Sequence, residues 1–110
     1  MRARATAKWI RVSPRKVRLV LDLIRNKPYA EATRLLNSCN NKSSRLVSEV
    51  VSSAKANAKV ISPGVRSEEL YIREAFADGG VLMKRGRWRA MGRWCRINKP
   101  TSHITVVVGD

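Results

Sequence analysis

The sequence is poor in the residues from which metal sites and disulfide frameworks are built. Its 110 residues include only two cysteines, Cys39 and Cys95, and one histidine, His103. Two cysteines cannot complete a structural zinc site and do not form the spaced pairs of a disulfide scaffold. We therefore expect no metal and no other cofactor, and we expect both thiols to be reduced.

Long apolar segments and targeting signals are also missing. No apolar run approaches the roughly 20 residues that a membrane-spanning helix requires, and the first residues do not have the pattern of a signal peptide or a transit segment. These absences predict a soluble, cytoplasmic protein with no membrane partner, either in a bacterium or as the product of an organelle genome.

Acidic residues are scarce, and their arrangement does not suggest catalysis. The chain has 8 of them against 23 lysines and arginines, which gives a net charge of +15 at pH 7. They show neither paired-carboxylate nor metal-ligand spacing, and no glycine-rich phosphate loop follows a strand. His103 has only hydroxyl side chains near it in the sequence, without an orienting partner. We predict that the protein is not an enzyme, and that His103 is a structural residue or a phosphate contact.

The positive charge is concentrated in two zones. Residues 1–20 and residues 81–100 each contain seven lysines and arginines and no acidic residue. Residues 21–80, by contrast, contain nine lysines and arginines and seven acidic residues. Such a charge opposes compaction by self-repulsion, and a polyanion relieves that repulsion. The distribution predicts a binding surface for nucleic acid.

The periodicity of the apolar residues predicts both strands and helices in a single domain, residues 1–110. The alternation in RARATAKWIRV predicts a strand whose protein-facing side consists of Ala3, Ala5, Ala7 and Trp9. Three segments have helical spacing: SPRKVRLVLDLIRNKP, PYAEATRLLNSC and SRLVSEVVSSAKANAKVI. In the first of them Ser13 is expected to cap the helix and Pro14 to begin it. ELYIREAFA and SHITVVV are predicted to be strands.

The last two predicted strands are separated by 24 residues, Asp78 to Thr101. This is too long for a structureless loop in a compact domain, so the segment is either disordered or a functional extension. If both strands continue as a β-ribbon, it projects on the order of 30 Å at about 3.3 Å per residue. A lone two-stranded ribbon is marginal in water, and its like charges weaken it further. A polyanion outside the protein is therefore expected to hold it.

The same segment combines its cations with tryptophans and glycines, a combination that neither a solvated charged tail nor a hydrophobic core would need. Trp88 and Trp94 can stack on bases or pack between the two limbs of the ribbon. Gly86 and Gly92 can supply positive φ, allow close approach of the backbone to RNA, or simply form turns.

Three binding classes fit a basic, non-catalytic chain. A DNA-reading helix-turn-helix would place its cations on a helix beside a short turn, and a membrane-surface binder would place them on an amphipathic helix. Here they concentrate in the terminal strand and the extended segment. Structured RNA fits best, because an irregular surface can order such an arm on contact.

Four stretches, VSPRKVRLVLDLIRNK, SAKANA, LMKRGRWRAMGR and INKPTSHITVVV, strongly resemble the bacterial-type large-subunit ribosomal protein L22 (uL22) family. The resemblance covers essentially the whole chain. It implies an α+β fold with a three-stranded antiparallel sheet packed with three helices and a long protruding β-hairpin. The body would comprise residues 1–78 and 99–110, and the hairpin arm residues 79–98.

The resemblance also implies a function and partners. The body would contact 23S rRNA near the opening of the polypeptide exit tunnel, and the arm would line the tunnel wall. Neighbouring large-subunit proteins and the nascent polypeptide would be further partners, and the protein would support subunit assembly. The alternative is a free RNA- or DNA-binding chaperone or architectural protein away from the ribosome.

The resemblance places the tip of the tunnel hairpin at Met83, Lys84, Arg85, Gly86 and Arg87. The charge pattern and the resemblance together assign RNA contact to seventeen residues: Arg2, Arg4, Lys8, Arg11, Arg15, Lys16, Arg18, Arg25, Lys84, Arg85, Arg87, Trp88, Arg89, Arg93, Arg96, Lys99 and His103.

Overall fold

The computed structural model describes all 110 residues and has five strands and three α-helices. In chain order they are β1 (Arg2–Ile10), α1 (Pro14–Ile24), α2 (Tyr29–Ser38), α3 (Lys42–Ile61), β2 (Tyr71–Gly79), β3 (Met83–Trp88), β4 (Trp94–Lys99) and β5 (Ser102–Gly109). Short 3-10 turns occupy Ser67–Glu69 and Ala90–Gly92. The predicted α+β class with three helices and a protruding hairpin is confirmed.

The main sheet is antiparallel, with strand order β1-β5-β2, while β3 and β4 form a separate two-stranded ribbon. In the main sheet Val106 of β5 lies opposite Ala5 of β1 on one side and Ala75 of β2 on the other. Because β5 is central, its neighbours cover it on both sides, and Thr105 and Val107 are buried as well as the residues that face the helices. This accounts for the run of three valines at Val106 to Val108, which has apolar residues on both faces.

The helices pack on one face of this sheet through the stripes that the sequence predicts. In α1 the buried residues are Val17, Val20, Leu21 and Ile24. In α3 they include Val47, Val50, Val51, Ala54 and Ala58. The small alanines let α3 approach β1 closely, and β1 itself contributes small residues, Ala3 and Ala5, to the core. None of the three helices is both long and apolar enough to cross a membrane.

The prediction that Trp9 faces the protein is wrong, since its side chain is 63% exposed. The pairing of β1 with β5 is irregular between Ala7 and Ile10, and Trp9 has φ of 54°. A β-bulge of this kind inserts an extra residue and ends the strict alternation of faces. The alternation is therefore kept at Ala3 and Ala5 and lost near the end of the strand.

Two helix boundaries depend on local contacts that the apolar pattern does not show. The α3 helix begins at Lys42 because the side chain of Asn41 accepts a hydrogen bond of 2.8 Å from the Ser44 amide. The predicted capping role of Ser13 is not found, because its side chain makes no capping hydrogen bond, whereas Pro14 does begin α1 as expected. Strand β2 begins at Tyr71, and the preceding Ser67–Glu69 turn replaces the predicted start of that strand.

The two termini meet at the strand ends of the main sheet that lie farthest from the ribbon. The Met1 ammonium lies 3.1 Å from the Asp110 carboxylate, and this hydrogen bond lowers the pKa of Asp110 from its ordinary value. A lowered carboxyl pKa stabilises the folded state above the unfolded pKa, and this contribution is lost as the pH falls through the lowered value.

Leu21 and Leu19 provide a matched test of which face of α1 carries the core. Leu21 is fully buried and Leu19 is 71% exposed. We expect Leu21→Ala to lower the free energy of unfolding by about 2 to 5 kcal/mol, because it leaves a cavity. Leu19→Ala should change it by less than about 0.5 kcal/mol. Urea unfolding followed by circular dichroism measures both, and equal losses would contradict the packing described here.

Candidate nucleic-acid interface

The two-stranded ribbon, Met83 to Lys99, is the most exposed part of the molecule. Its strands pair in antiparallel register from Met83 opposite Lys99 to Trp88 opposite Trp94. Beyond the last pair the Arg89 amide donates a 2.6 Å hydrogen bond to the Arg93 carbonyl, and Ala90–Gly92 closes the turn. The predicted β-hairpin is thus confirmed, and its two strands span Met83–Trp88 and Trp94–Lys99.

The predicted tip, Met83, Lys84, Arg85, Gly86 and Arg87, is wrong: these residues form β3, and Met83 is in the first pair at the base. The turn instead lies at Ala90–Gly92, where Met91 has φ of 61° and Gly92 has φ of 72°. Two consecutive residues at positive φ reverse the chain, and glycine adopts this conformation at no steric cost. The sequence shows Gly92 as a candidate for positive φ, but also Gly86, and the register decides between them.

The ribbon continues the main sheet through a narrow base. The amide of Gly80 donates to the Thr101 carbonyl, and the Thr101 hydroxyl donates to the Val81 carbonyl, both at 2.8 Å. Beyond these bonds the ribbon pairs only with itself. The molecule measures 64 × 25 × 16 Å, so the ribbon extends it along one direction.

Cations occupy both faces of the ribbon. Opposite residues in an antiparallel pair share a face, so Arg85 and Arg87 lie on one face with Lys99, while Lys84 and Arg96 lie on the other. All seven cations of the ribbon are exposed, namely Lys84, Arg85, Arg87, Arg89, Arg93, Arg96 and Lys99. The ion pairs of the molecule all lie elsewhere. The ribbon therefore has no internal counter-charge.

The two tryptophans of the ribbon have different surroundings. The indole ring of Trp94 lies directly on the backbone of Gly86, where a Cβ atom would overlap it. Gly86 therefore serves a close approach within the ribbon, and Trp94 packs on it while staying 55% exposed. Trp88 is 74% exposed and lies next to the turn, which leaves its ring faces open to a partner.

The outer face of β1 carries a second group of predicted contacts. Arg2, Arg4 and Lys8 are exposed on the face of the sheet that the helices do not cover. Arg2 is paired with Glu74 at 3.1 Å, and this exposed pair is worth little. Arg4 and Lys8 form no ion pair and extend the positive surface across the body.

His103 has a structural role in this region. Its Nδ1 accepts a 3.1 Å hydrogen bond from the amide of Trp9, and the two rings meet edge to face at 5.5 Å. The histidine therefore stabilises the bulge that turns Trp9 outward. The side chain is half-buried, and its predicted contact with RNA stays a prediction.

Arg18 and Arg25 protect an edge of the sheet. Strand β2 is an edge strand, so some of its carbonyl groups lack a strand partner. The Arg18 guanidinium donates to the Ala77 carbonyl at 3.1 and 2.8 Å, and the Arg25 guanidinium donates to the Ala75 carbonyl at 3.2 and 2.6 Å. Arg25 also contacts Asp22 at 2.7 Å. These two arginines cover an otherwise open edge, a role that charge counting does not reveal.

A groove of about 680 Å³ lies between the starts of α1 and α3 and the base of the ribbon. It brings together three residues that the sequence analysis assigned to RNA, Arg11, Lys16 and Lys99. It adds Lys42, which that analysis missed. The amine of Lys42 donates to the Arg11 carbonyl at 3.2 Å, across the groove. Nothing in the spacing of the sequence connects residue 42 with residue 99, since only the tertiary fold joins them.

The comparisons with known proteins agree with this geometry. The family model described as ribosomal protein L22p/L17e matches residues 5–109. Two relatives, both named large ribosomal subunit protein uL22, come from Staphylococcus aureus strains JH9 and Newman. Each is 51% identical to the chain over 110 residues, which cover 100% of the chain and 93% of the relative.

The edge-protecting role of Arg18 can be tested against Arg15, a neighbouring exposed arginine of α1. We expect Arg18→Gln to lower the free energy of unfolding by about 1 kcal/mol, since it leaves the Ala77 carbonyl without its charged donor. Arg15→Gln should change it by less than about 0.5 kcal/mol. Urea unfolding of the two variants gives the comparison, and an unchanged stability in Arg18→Gln would argue against the edge contact.

Proposed function

The chain belongs to the L22p/L17e family of ribosomal proteins, and from this membership we propose that it binds 23S rRNA in the large ribosomal subunit and lines the polypeptide exit tunnel with its ribbon. It acts there as a structural protein of translation rather than as an enzyme. Its location is the ribosome, in the cytoplasm or in an organelle with its own ribosomes.

The observation that carries the proposal is the uncompensated charge of the ribbon. All of its cations are exposed, it contains no acidic residue, and it makes no ion pair. An isolated two-stranded ribbon is marginally stable in water, and like charges on neighbouring strands destabilise it further. Phosphates on both sides of the ribbon would remove this repulsion, which fits a ribbon inserted between RNA segments better than one lying on a single duplex.

The side chains of the ribbon support contact with structured RNA in particular. An exposed tryptophan can stack on an unpaired base, and such stacking is worth about 1 to 3 kcal/mol per base. Trp88 has the exposure that this requires, whereas Trp94 already packs on Gly86. RNA offers splayed bases in loops and bulges, while a DNA duplex keeps its bases stacked. We therefore assign base stacking to Trp88.

The turn determines which residues would reach farthest into the tunnel. Ala90, Met91 and Gly92 form the end of the ribbon, and Met91 is 96% exposed. A small, mostly uncharged end suits a wall past which a nascent polypeptide must slide. The cations on either side, Arg89 and Arg93, would hold rRNA behind it.

The body would bind rRNA near the tunnel opening and support assembly of the subunit. The exposed cations of β1 and of the start of α1 would supply these contacts. Neighbouring large-subunit proteins would meet the remaining surface of the body.

A pair of charge variants tests the role of the ribbon. For a 23S rRNA transcript, we expect Arg87→Gln with Arg93→Gln to reduce the slope of the log binding constant against log salt concentration by about 1 to 2. The double variant would neutralise two fewer phosphates, so binding would release fewer counterions. Arg34→Gln with Arg45→Gln removes the same charge from α2 and α3 and should change the slope much less. Filter binding over a salt series measures both.

The same proteins can be followed in cells by sucrose-gradient sedimentation. A ribosomal protein travels with large subunits through moderate salt washes. A wild-type chain found only at the top of the gradient would instead support a free RNA- or DNA-binding chaperone.

Hydrogen exchange tests the dependence of the ribbon on RNA. In the isolated protein we expect the amides of β3 and β4 to exchange much faster than those of β5, because the ribbon has no core beneath it. In the assembled subunit the ribbon amides should become protected. A ribbon fully protected in the isolated chain, and unchanged by 23S rRNA, would contradict the proposal.

A further inference from the structure

We propose that the groove between α1, α3 and the base of the ribbon receives one backbone phosphate of the RNA, and that this phosphate sets the direction of the ribbon relative to the body. The inference rests on the proposed function, because it takes the bound polyanion to be rRNA. It goes further in naming a single shared phosphate and a mechanical consequence of its binding.

The charges of the groove are the first argument. Arg11, Lys16, Lys42 and Lys99 line it, no carboxylate does, and none of the four forms an ion pair. They come from separate parts of the chain, and folding brings them together despite their mutual repulsion. An anion between them would convert this repulsion into attraction.

The lining of the groove indicates the chemical class of its ligand. Only 3 of its 11 lining residues are hydrophobic. Sites for drug-like small molecules are lined predominantly by hydrophobic and aromatic side chains, whereas most side chains of this groove are polar or charged. The hydroxyl of Ser13 makes no capping bond, and Ser43 lines the groove although its residue is only 5% exposed. Both can donate to a phosphate oxygen beside the cations.

The backbone at the groove favours the same ligand. Ser13 and Asn41 precede the first turns of α1 and α3, and both residues lie at the groove. The partial positive charge of a helix start attracts anions, even though Asn41 already caps the Ser44 amide of α3. Two helix starts and four cations therefore act on one space.

The position of Lys99 connects the groove to the ribbon and points to a nucleic-acid phosphate. Lys99 ends β4 and shares a face of the ribbon with Arg85 and Arg87, so this row of cations leads directly into the groove. A chain of phosphates running along the ribbon would reach this space without a break. A free phosphate ion would gain nothing from this continuity.

The mechanical consequence follows from the narrow base of the ribbon. The ribbon is a separate sheet, joined to the body through the contacts of Gly80 and Thr101. A phosphate bound by Lys99 and by Lys42 would add a bridge from the ribbon to α3. That bridge would restrict the angle between ribbon and body once RNA is bound.

A double-mutant cycle tests whether one phosphate is shared. With a 23S rRNA transcript as the probe, we expect Lys42→Gln and Lys99→Gln each to weaken binding about 5-fold, the effect of about 1 kcal/mol. Because both substitutions would remove a contact with the same phosphate, the double variant should weaken binding by much less than the roughly 25-fold product of the single effects. Lys42→Gln combined with Arg93→Gln, at the far end of the ribbon, should reach the product.

The direction of the ribbon can be measured with the two native free thiols, the half-buried Cys39 in the body and the exposed Cys95 in the ribbon. Spin labels on both report a distance distribution by pulsed electron resonance. We expect 23S rRNA to narrow it in the wild-type chain and much less in the Lys42→Gln, Lys99→Gln double variant. Circular dichroism of the labelled proteins checks that the fold is retained. If labelling at Cys39 disturbs the fold, the body label is moved to position 38 in a Ser38→Cys, Cys39→Ser variant.

The outcomes separate the groove from the wider function. Multiplicative effects of Lys42→Gln and Lys99→Gln, or a distance distribution that RNA narrows equally in the double variant, would overturn the shared phosphate while rRNA binding stands. Narrowing by inorganic phosphate alone, with no further effect of RNA, would overturn the assignment to a backbone phosphate. A wild-type chain that does not bind the transcript would overturn the proposed function itself.

Discussion

The cations of the ribbon and of the groove at its base repel one another, and nothing within the chain neutralises them. The body tolerates this because β5 is paired on both sides and the helices bury its apolar residues. The ribbon has no such support, since it pairs only with itself. On the proposed function, the charges that hold its geometry come from outside, because a ribosomal RNA would supply them at high density.

Not all of the basic residues serve that interface. Arg18 and Arg25 donate to carbonyl groups at the edge of β2, and Arg2 pairs with Glu74. The net charge of the chain therefore overstates its free binding surface. Arg15 and Lys16, on the same helix as Arg18, are exposed and form no ion pair within the chain. Position in the fold, rather than residue type, separates structural arginines from those open to RNA.

The sequence was sufficient where a pattern is local and repeated. The stripe of Val17, Val20, Leu21 and Ile24 predicted the buried face of α1, since helical spacing alone puts these residues on one side. It failed at Trp9, where a bulge reversed the alternation, and at the tip of the ribbon. The resemblance placed the tip too early, and the turn at Ala90–Gly92 contains no strong turn dipeptide that would mark it in the sequence.

From spacing and composition the sequence by itself predicted three helices, a long basic segment and a nucleic-acid partner, because these features are recorded locally along the chain. The α+β class and the protruding hairpin followed from its resemblance to a known family. The tertiary structure alone decided which cations meet. Lys42 and Lys99 share a groove although they are far apart in sequence, and Trp94 lies on Gly86 because of the strand register. Pairing register and helix packing bring distant residues together, and no local pattern of side chains records that distance.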